Sequence, residues 1–315
     1  MDKSIIFLIL GLILLLVSGR YLVESSVTIA RHFKIPTIII GLTIVSFGTS
    51  APELLVSLQA ALQGHPEMAI GNVVGSNISN ILLVLAITAF IFPITIQKQF
   101  IRRDWPIMMF ISCLLVFFLL DLELKSYEGI ILLSLLVLYI IYSIKQARSP
   151  KHANEFTQDV TAHGMKWGTA IIIFVVACVG LSFGAGLLVD NAAIIAGRIG
   201  ISERVISISV VAVGTSLPEL STSIIAAFKK ESNISVGNII GSNIMNIISV
   251  LGVTTMVSPL KTSEQTLRVD LPWMIGASLL LYLFMIPARS SKISRIEGSI
   301  MLLAYAAYIF FIFTV

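Results

Sequence analysis

Two stretches of the chain are nearly the same sequence. Residues 48–88 align with 214–254 at a constant offset of 166, without a gap, and 20 of the 41 pairs are identical. The offset reaches further out, pairing Val23 with Val189, Ala30 with Ala196, Asp104 with Asp270 and Pro106 with Pro272. After a slip of three residues, Glu128-Gly129 matches Glu297-Gly298. A repeat of this extent makes the chain two copies of one unit, so any fold must accommodate the same local structure twice.

The unit is a set of membrane spans. Of 315 residues, 57% are hydrophobic and 12% charged, with a mean hydropathy of +0.97; a soluble domain carries roughly 25% charged residues. Apolar runs of spanning length are separated by short charged or Pro-containing breaks. The pattern predicts spans at 4–19, 37–62, 68–92, 105–120, 127–144, 167–189, 205–228, 234–257, 271–287 and 298–314. The expected fold is therefore an all-α polytopic membrane protein of ten transmembrane helices. Residues 1–145 hold the first five, 146–166 form a polar linker, and 167–315 hold the second five. Five is odd, so the second copy enters the membrane from the opposite side and the halves are inverted repeats.

Charge then orients the chain. Lys3, Lys125, Arg198, Arg204, Lys261 and Arg268 fall on the side of the amino terminus, and the other 15 of the 21 Lys and Arg fall on the opposite side. The positive-inside rule predicts both termini outside and the linker in the cytoplasm of a cell (inner) membrane. The same placement argues against nucleic acid as the partner of a pI near 9.1, because the basic residues sit in short loops facing lipid. Cys113 and Cys178 lie inside apolar runs, read as packing positions. Glu24 and Asp190, equivalent under the repeat, are read as solvated carboxylates near the ends of spans one and six.

Spans two and seven carry GTSAPE (48–53) and GTSLPE (214–219). Each places a carboxylate, Glu53 or Glu219, near the middle of an apolar helix, where an ionised group costs several kcal/mol unless paired or coordinated. A proline one residue earlier removes a backbone donor and clashes with the carbonyl four residues back, so both helices must open there. Freed carbonyls and the hydroxyls of Thr49, Ser50, Thr215 and Ser216 then face a protein-lined cavity. Spans three and eight carry GNVVGSNISN (71–80) and GNIIGSNIMN (237–246), which put Ser76 and Asn80 on one helix face and Ser242 and Asn246 on its counterpart. The glycines of these strings are read as packing residues.

The resulting set of ten residues has two carboxylates, amide and hydroxyl oxygens, and no His, Cys or Lys. Such a set suits hard cations, Ca²⁺ or Na⁺, rather than Zn²⁺ or Cu²⁺. An empty site holding −2 in low dielectric is unfavourable, and one Ca²⁺ or about two to three Na⁺ neutralise it, but not both sets together. Shared ligands therefore give exchange. Protons satisfy the same argument, so a proton- or other-cation-coupled divalent antiporter of the same fold remains an alternative, as does a cation channel. No nucleophile–base pair lies within a span, so no enzyme is expected.

At these residues the chain resembles the cation/calcium exchanger superfamily, in particular the prokaryotic sodium/calcium exchanger branch and its bacterial inner-membrane members. The doubled GTS-x-PE and GSNIxN strings carry the resemblance, which covers essentially the whole chain. It implies a core of spans two, three, seven and eight, with long first and sixth helices sliding past it, and electrogenic exchange of about three Na⁺ per Ca²⁺. It implies no cofactor and no obligate protein partner. Glu53 and Glu219 would bind Ca²⁺ and share in Na⁺ sites, Thr49 and Thr215 would offer mainly backbone carbonyls, and Ser50, Ser76, Asn80, Ser216, Ser242 and Asn246 would complete the sodium sites. Potassium-dependent relatives carry Asp where this chain has Asn246, so no K⁺ requirement is expected.

Overall fold

The computed structural model describes residues 3–33, 35–147, 166–198, 212–286 and 292–314. Most of the expected linker (148–165), residues 205–211 of the seventh span and residue 287 of the ninth lie outside the described residues, as do Arg148, Arg204 and Arg289.

Among the described residues, eight helices are long and apolar enough to cross a membrane. These are α1 (Lys3–His32), α3 (Pro66–Ile91), α4 (Phe100–Asp121), α5 (Ser126–Ala147), α6 (Trp167–Arg198), α8 (Ser232–Val257), α9 (Thr266–Met285) and α10 (Arg295–Thr314). Another crossing, α2, is a pair of segments, α2a (Thr37–Thr49) and α2b (Ala51–Leu62), bent by 43° where they meet. Its counterpart α7 consists of α7a (Ala212–Thr215) and α7b (Leu217–Phe228). The expected ten-helix order stands.

The first and sixth helices run past their expected ends, to His32 and Arg198 instead of 19 and 189. Apolar patterning marks the hydrocarbon limit, whereas the helix continues through polar residues that satisfy one another. Arg20 Nε donates to Glu24 Oε1 at 3.1 Å, one turn on, and the Ser26 and Thr28 hydroxyls bond back to carbonyls four residues earlier. Glu24 is therefore not a solvated helix-end carboxylate: it sits within α1, also paired with the Lys229 ammonium at the end of α7b.

The two halves are interlocked. Short strands β1 (Ile94–Thr95) and β4 (Lys292–Ile293) pair antiparallel, Ile94 opposite Ile293, and β2 (Glu123–Leu124) pairs with β3 (Leu260–Lys261). Each pairing joins one half to the other. The loops after α3 and α9 therefore share one membrane face and those after α4 and α8 share another, as an alternating ten-span path requires. The repeated Glu-Gly pair also acquires a reason. The Glu128 carboxylate accepts from the Lys125 amide at 2.7 Å and Glu297 from the Ser294 amide at 2.5 Å, capping the first turns of α5 and α10.

Burial identifies the centre. Among the eight long helices the spanning window of α8 is 89% buried and that of α3 72%, while none of the other six exceeds 39%. α8 lies against α2a with almost no side chain between them: a Cβ added at Gly241 would stand 2.6 Å from the Leu42 carbonyl oxygen, and one at Gly237 3.0 Å from that of Ile38. In a membrane, where apolar burial does not draw helices together, such close backbone contact is a main source of association. The lipid-facing sides of α1, α5, α6 and α10 carry exposed Leu, Ile, Val and Phe throughout.

Candidate cation site

The breaks in α2 and α7 have the same geometry. Ser50 (φ −83°, ψ 8°) and Ser216 (φ −86°, ψ 3°) leave helical conformation between the two segments. Pro52 and Pro218 account for it: neither has an N–H to offer the carbonyl of Gly48 or Gly214. Glu53 and Glu219 thus fall in the first turns of α2b and α7b, the positive ends of those helix dipoles, and both are fully buried.

All ten residues singled out from the sequence are buried, none more than 7% exposed. Side-chain hydrogen bonds link several of them. Ser50 Oγ donates to Glu219 Oε1 at 3.1 Å, linking the two halves, and Ser242 Oγ donates to the same oxygen at 3.2 Å. The Thr49 hydroxyl donates to Asn238 Oδ1 at 3.0 Å and lies 3.3 Å from Ser242 Oγ. Ser76 and Thr215 hydroxyls are 3.4 Å apart.

What the network leaves over is more informative than what it joins. Both oxygens of Glu53, Oε2 of Glu219, Oγ of Ser216 and Oδ1 of Asn80 and Asn246 are buried without a hydrogen-bond partner. An unsatisfied buried polar atom costs roughly 1–3 kcal/mol, more when charged. All six are oxygens, the donor type that hard cations take. Among the described residues, no group of three or more His, Cys, Asp or Glu suits a transition metal.

α3 and α8 widen at the same point. In each, a π-helical turn begins at the last asparagine of the repeated string, Asn80–Leu85 in α3 and Asn246–Leu251 in α8. Such turns interrupt the regular helical ladder and recur at functional sites.

Four further asparagines belong to the site's immediate surroundings and were not singled out beforehand. Asn72 Nδ2 donates to the Glu53 carbonyl at 3.2 Å and to Ser57 Oγ at 3.0 Å; its counterpart Asn238 Nδ2 donates to Ser223 Oγ at 3.3 Å. Asn77 and Asn243 bond to Asn246 and Asn80 across the repeat axis. All four stand in the strings that identified Asn80 and Asn246, and their identity in both copies was the available signal.

The profile of the sodium/calcium exchanger protein family matches residues 3–145 and 169–314, one block in each half. The inner membrane protein YrbG of Escherichia coli is 39% identical over 257 residues, covering 80% of this chain and 79% of its own. The sodium/calcium exchanger MaX1 of Methanosarcina acetivorans is 32% identical over 98% of both chains. Among solved structures, the sodium-calcium exchanger NCX_Mj, soaked with Na⁺ and Ca²⁺, superposes with a TM-score of 0.82 at 33% identity, covering 98% of each chain. With two helix-breaking carboxylate motifs meeting in one oxygen-lined site, and a family match spanning both halves, this chain belongs to the sodium/calcium exchanger family.

Proposed function

We propose that this protein is a secondary active antiporter that moves Na⁺ and Ca²⁺ in opposite directions through one midplane site. Glu53 and Glu219 are its charged ligands, and oxygens of Thr49, Ser50, Ser76, Asn80, Thr215, Ser216, Ser242 and Asn246 complete the shell. The reading rests on one observation above all: six buried, partnerless oxygens from two inverted halves, two of them belonging to one carboxylate. With both glutamates ionised the shell carries −2, matched by one Ca²⁺ or by two to three Na⁺. Because the ions share ligands, binding one set expels the other. MaX1 and NCX_Mj, both named as exchangers of these two ions, support the choice of ions. The protein sits in the cell membrane with both termini outside and residues 146–166 as a cytoplasmic linker, in keeping with the excess of Lys and Arg on the linker side.

The test is Ca²⁺ uptake into proteoliposomes loaded with Na⁺. Uptake is expected with an outward Na⁺ gradient, and Glu53→Gln or Glu219→Gln abolishes it. Equal uptake with choline in place of Na⁺ removes sodium from the mechanism, and uptake driven by a pH gradient alone replaces it with protons.

A further inference from the structure

A carboxamide has two unlike ends, and only its oxygen can face a cation. Nothing within Asn80 or Asn246 decides which end does. We infer that Asn77 and Asn243 decide it: they are positioning residues that lock the two liganding carboxamides oxygen-first toward the ion. This rests on the cation-exchange reading above.

The bonds run across the repeat axis. Asn80 Nδ2 on α3 donates to Asn243 Oδ1 on α8 at 3.2 Å, and Asn246 Nδ2 on α8 donates to Asn77 Oδ1 on α3 at 3.1 Å. All four side chains are at most 1% exposed. With both nitrogens engaged, Oδ1 is the end that remains, and in both residues it is buried and partnerless. Turning Asn80 over would set its oxygen against Asn243 Oδ1 and its NH₂ against the ion, two repulsive contacts in a site without bulk water. The clasp therefore makes the liganding orientation the only favourable one.

The clasp is itself anchored, but unequally. Asn77 Nδ2 donates to the Asn243 main-chain carbonyl at 3.1 Å, with Met274 Sδ at 3.9 Å. Asn243 Nδ2 points to Met108 Sδ at 3.7 Å, a weak acceptor. Asn77 is thus the firmer of the two, and it holds Asn246. This also constrains what residue 246 can be. An Asp there has no N–H for Asn77 Oδ1, so two oxygens would face each other unless Asn77 turned its NH₂ to the carboxylate and gave up the Asn243 carbonyl. The identity of residue 246 is coupled to Asn77.

The experiment uses the full chain in proteoliposomes and measures the Ca²⁺ concentration for half-maximal Na⁺-driven uptake separately from the maximal rate. Leucine matches asparagine in size but offers no acceptor, whereas aspartate keeps the oxygen. Asn77→Leu and Asn243→Leu are expected to raise the half-saturating Ca²⁺ about tenfold, equivalent to about 1.4 kcal/mol of ion binding. Asn77→Asp and Asn243→Asp keep the acceptor, though they give up the Nδ2 donor and add a charge, and are expected to raise it less than the leucine variants do. Adding Asn80→Ala to Asn243→Leu changes little more, because the first substitution has already released that ligand. Leucine variants with unchanged half-saturation, leucine and aspartate variants impaired alike, or fully additive losses in the double variant overturn the proposal. Where leucine prevents folding, alanine serves the same comparison. The clasp is also read without transport, from the shift in melting temperature that Na⁺ or Ca²⁺ produces in detergent: Leu variants lose the shift and Asp variants keep it. A parent protein stabilised by these ions but incapable of Na⁺-driven uptake refutes exchange and leaves the clasp to be judged by that shift.

Discussion

Replacing Gly241 by alanine adds one methyl group at the tightest point between α8 and α2a. The new Cβ would lie 2.6 Å from Leu42 O, 2.7 Å from Ser46 Oγ and 2.8 Å from Leu42 C. Two of these three atoms are backbone, so the contact cannot be relieved by a rotamer change and the helices must part by roughly 0.6–0.8 Å, the shortfall from ordinary van der Waals separation. Overpacking of this kind costs about 1–3 kcal/mol, against about 1 kcal/mol gained from the helix propensity of alanine over glycine. A net loss of up to about 2 kcal/mol corresponds to a fall of up to roughly 8 °C in melting temperature. Function should suffer more than stability. Leu42 and Ser46 lead directly into Thr49 and Ser50, so the displacement is delivered to the site, where a shift approaching 1 Å can cost about 10²-fold in rate. Gly276 on α9 is the control, since a Cβ there meets nothing within 4 Å. Melting curves and uptake assays on both variants are the measurement. Gly241→Ala behaving like Gly276→Ala in both would show that the close approach of α2a and α8 does not hold the site.

The two glutamates are expected to respond differently to shortening. Glu219→Asp withdraws the acceptor of Ser50 and Ser242, bonds to a charged group worth about 1.5–3 kcal/mol each, so the ion-free protein should melt lower; Glu53→Asp has no such bonds to lose and should weaken Ca²⁺ half-saturation while leaving that melting temperature in place. Equal melting losses would refute the distinction. The Glu24–Lys229 pair, 19% and 29% exposed, should show a coupling of about 1 kcal/mol in a Glu24→Gln, Lys229→Met cycle read by thermal melting; additive single losses would mean that it does not tie α1 to the core. Added K⁺ should leave uptake unchanged and Asn246→Asp should alter its dependence on Na⁺ or K⁺; silence in both titrations would remove residue 246 from the ligand set.

Much of this was legible because the chain states it twice. The constant offset exposed the two halves, the Pro-Glu pairs located both helix breaks, and intramembrane carboxylates have few structural uses besides a site. The parts that were not legible lack a sequence period. Two-residue strands such as Ile94–Thr95 have no alternation to read, although they join the halves. The end of α1 was set too early because hydropathy falls at Arg20 and Glu24, while the helix continues through their mutual ion pair. Asn77 and Asn243 stood in plain view within repeated strings. Spacing alone could not separate the asparagines that offer oxygen to the site from those that hold their neighbours, since that depends on which helix each one crosses to.

The distribution of contacts bears on which parts can move. Strand pairings β1–β4 and β2–β3, the crossed asparagines and the α2a–α8 seam all tie one half to the other around the site. A body held this way cannot open along its pseudo-symmetry axis without breaking several buried hydrogen bonds at once. α1 and α6 are placed otherwise. They cross each other at Gly11 and Gly184, where an added Cβ would meet the partner's backbone at 2.8–3.0 Å. They meet the core through small residues, Gly19 against Ser221 and Ile225 and Cys178 against Gly48, and through an apolar cluster that joins Leu15, Leu22, Val23 and Ile29 of α1 to Val45 of α2a and Ala226 of α7b. Apolar contacts of this kind are not directional, so sliding exchanges partners without stranding a polar group. The pair formed by Glu24 and Lys229 adds a charged fastening at one end, and the repeat gives it no equal, since Asp190 corresponds to Glu24 but Gln63 to Lys229. Motion of the α1–α6 pair past a fixed core therefore disturbs the fewest satisfied groups.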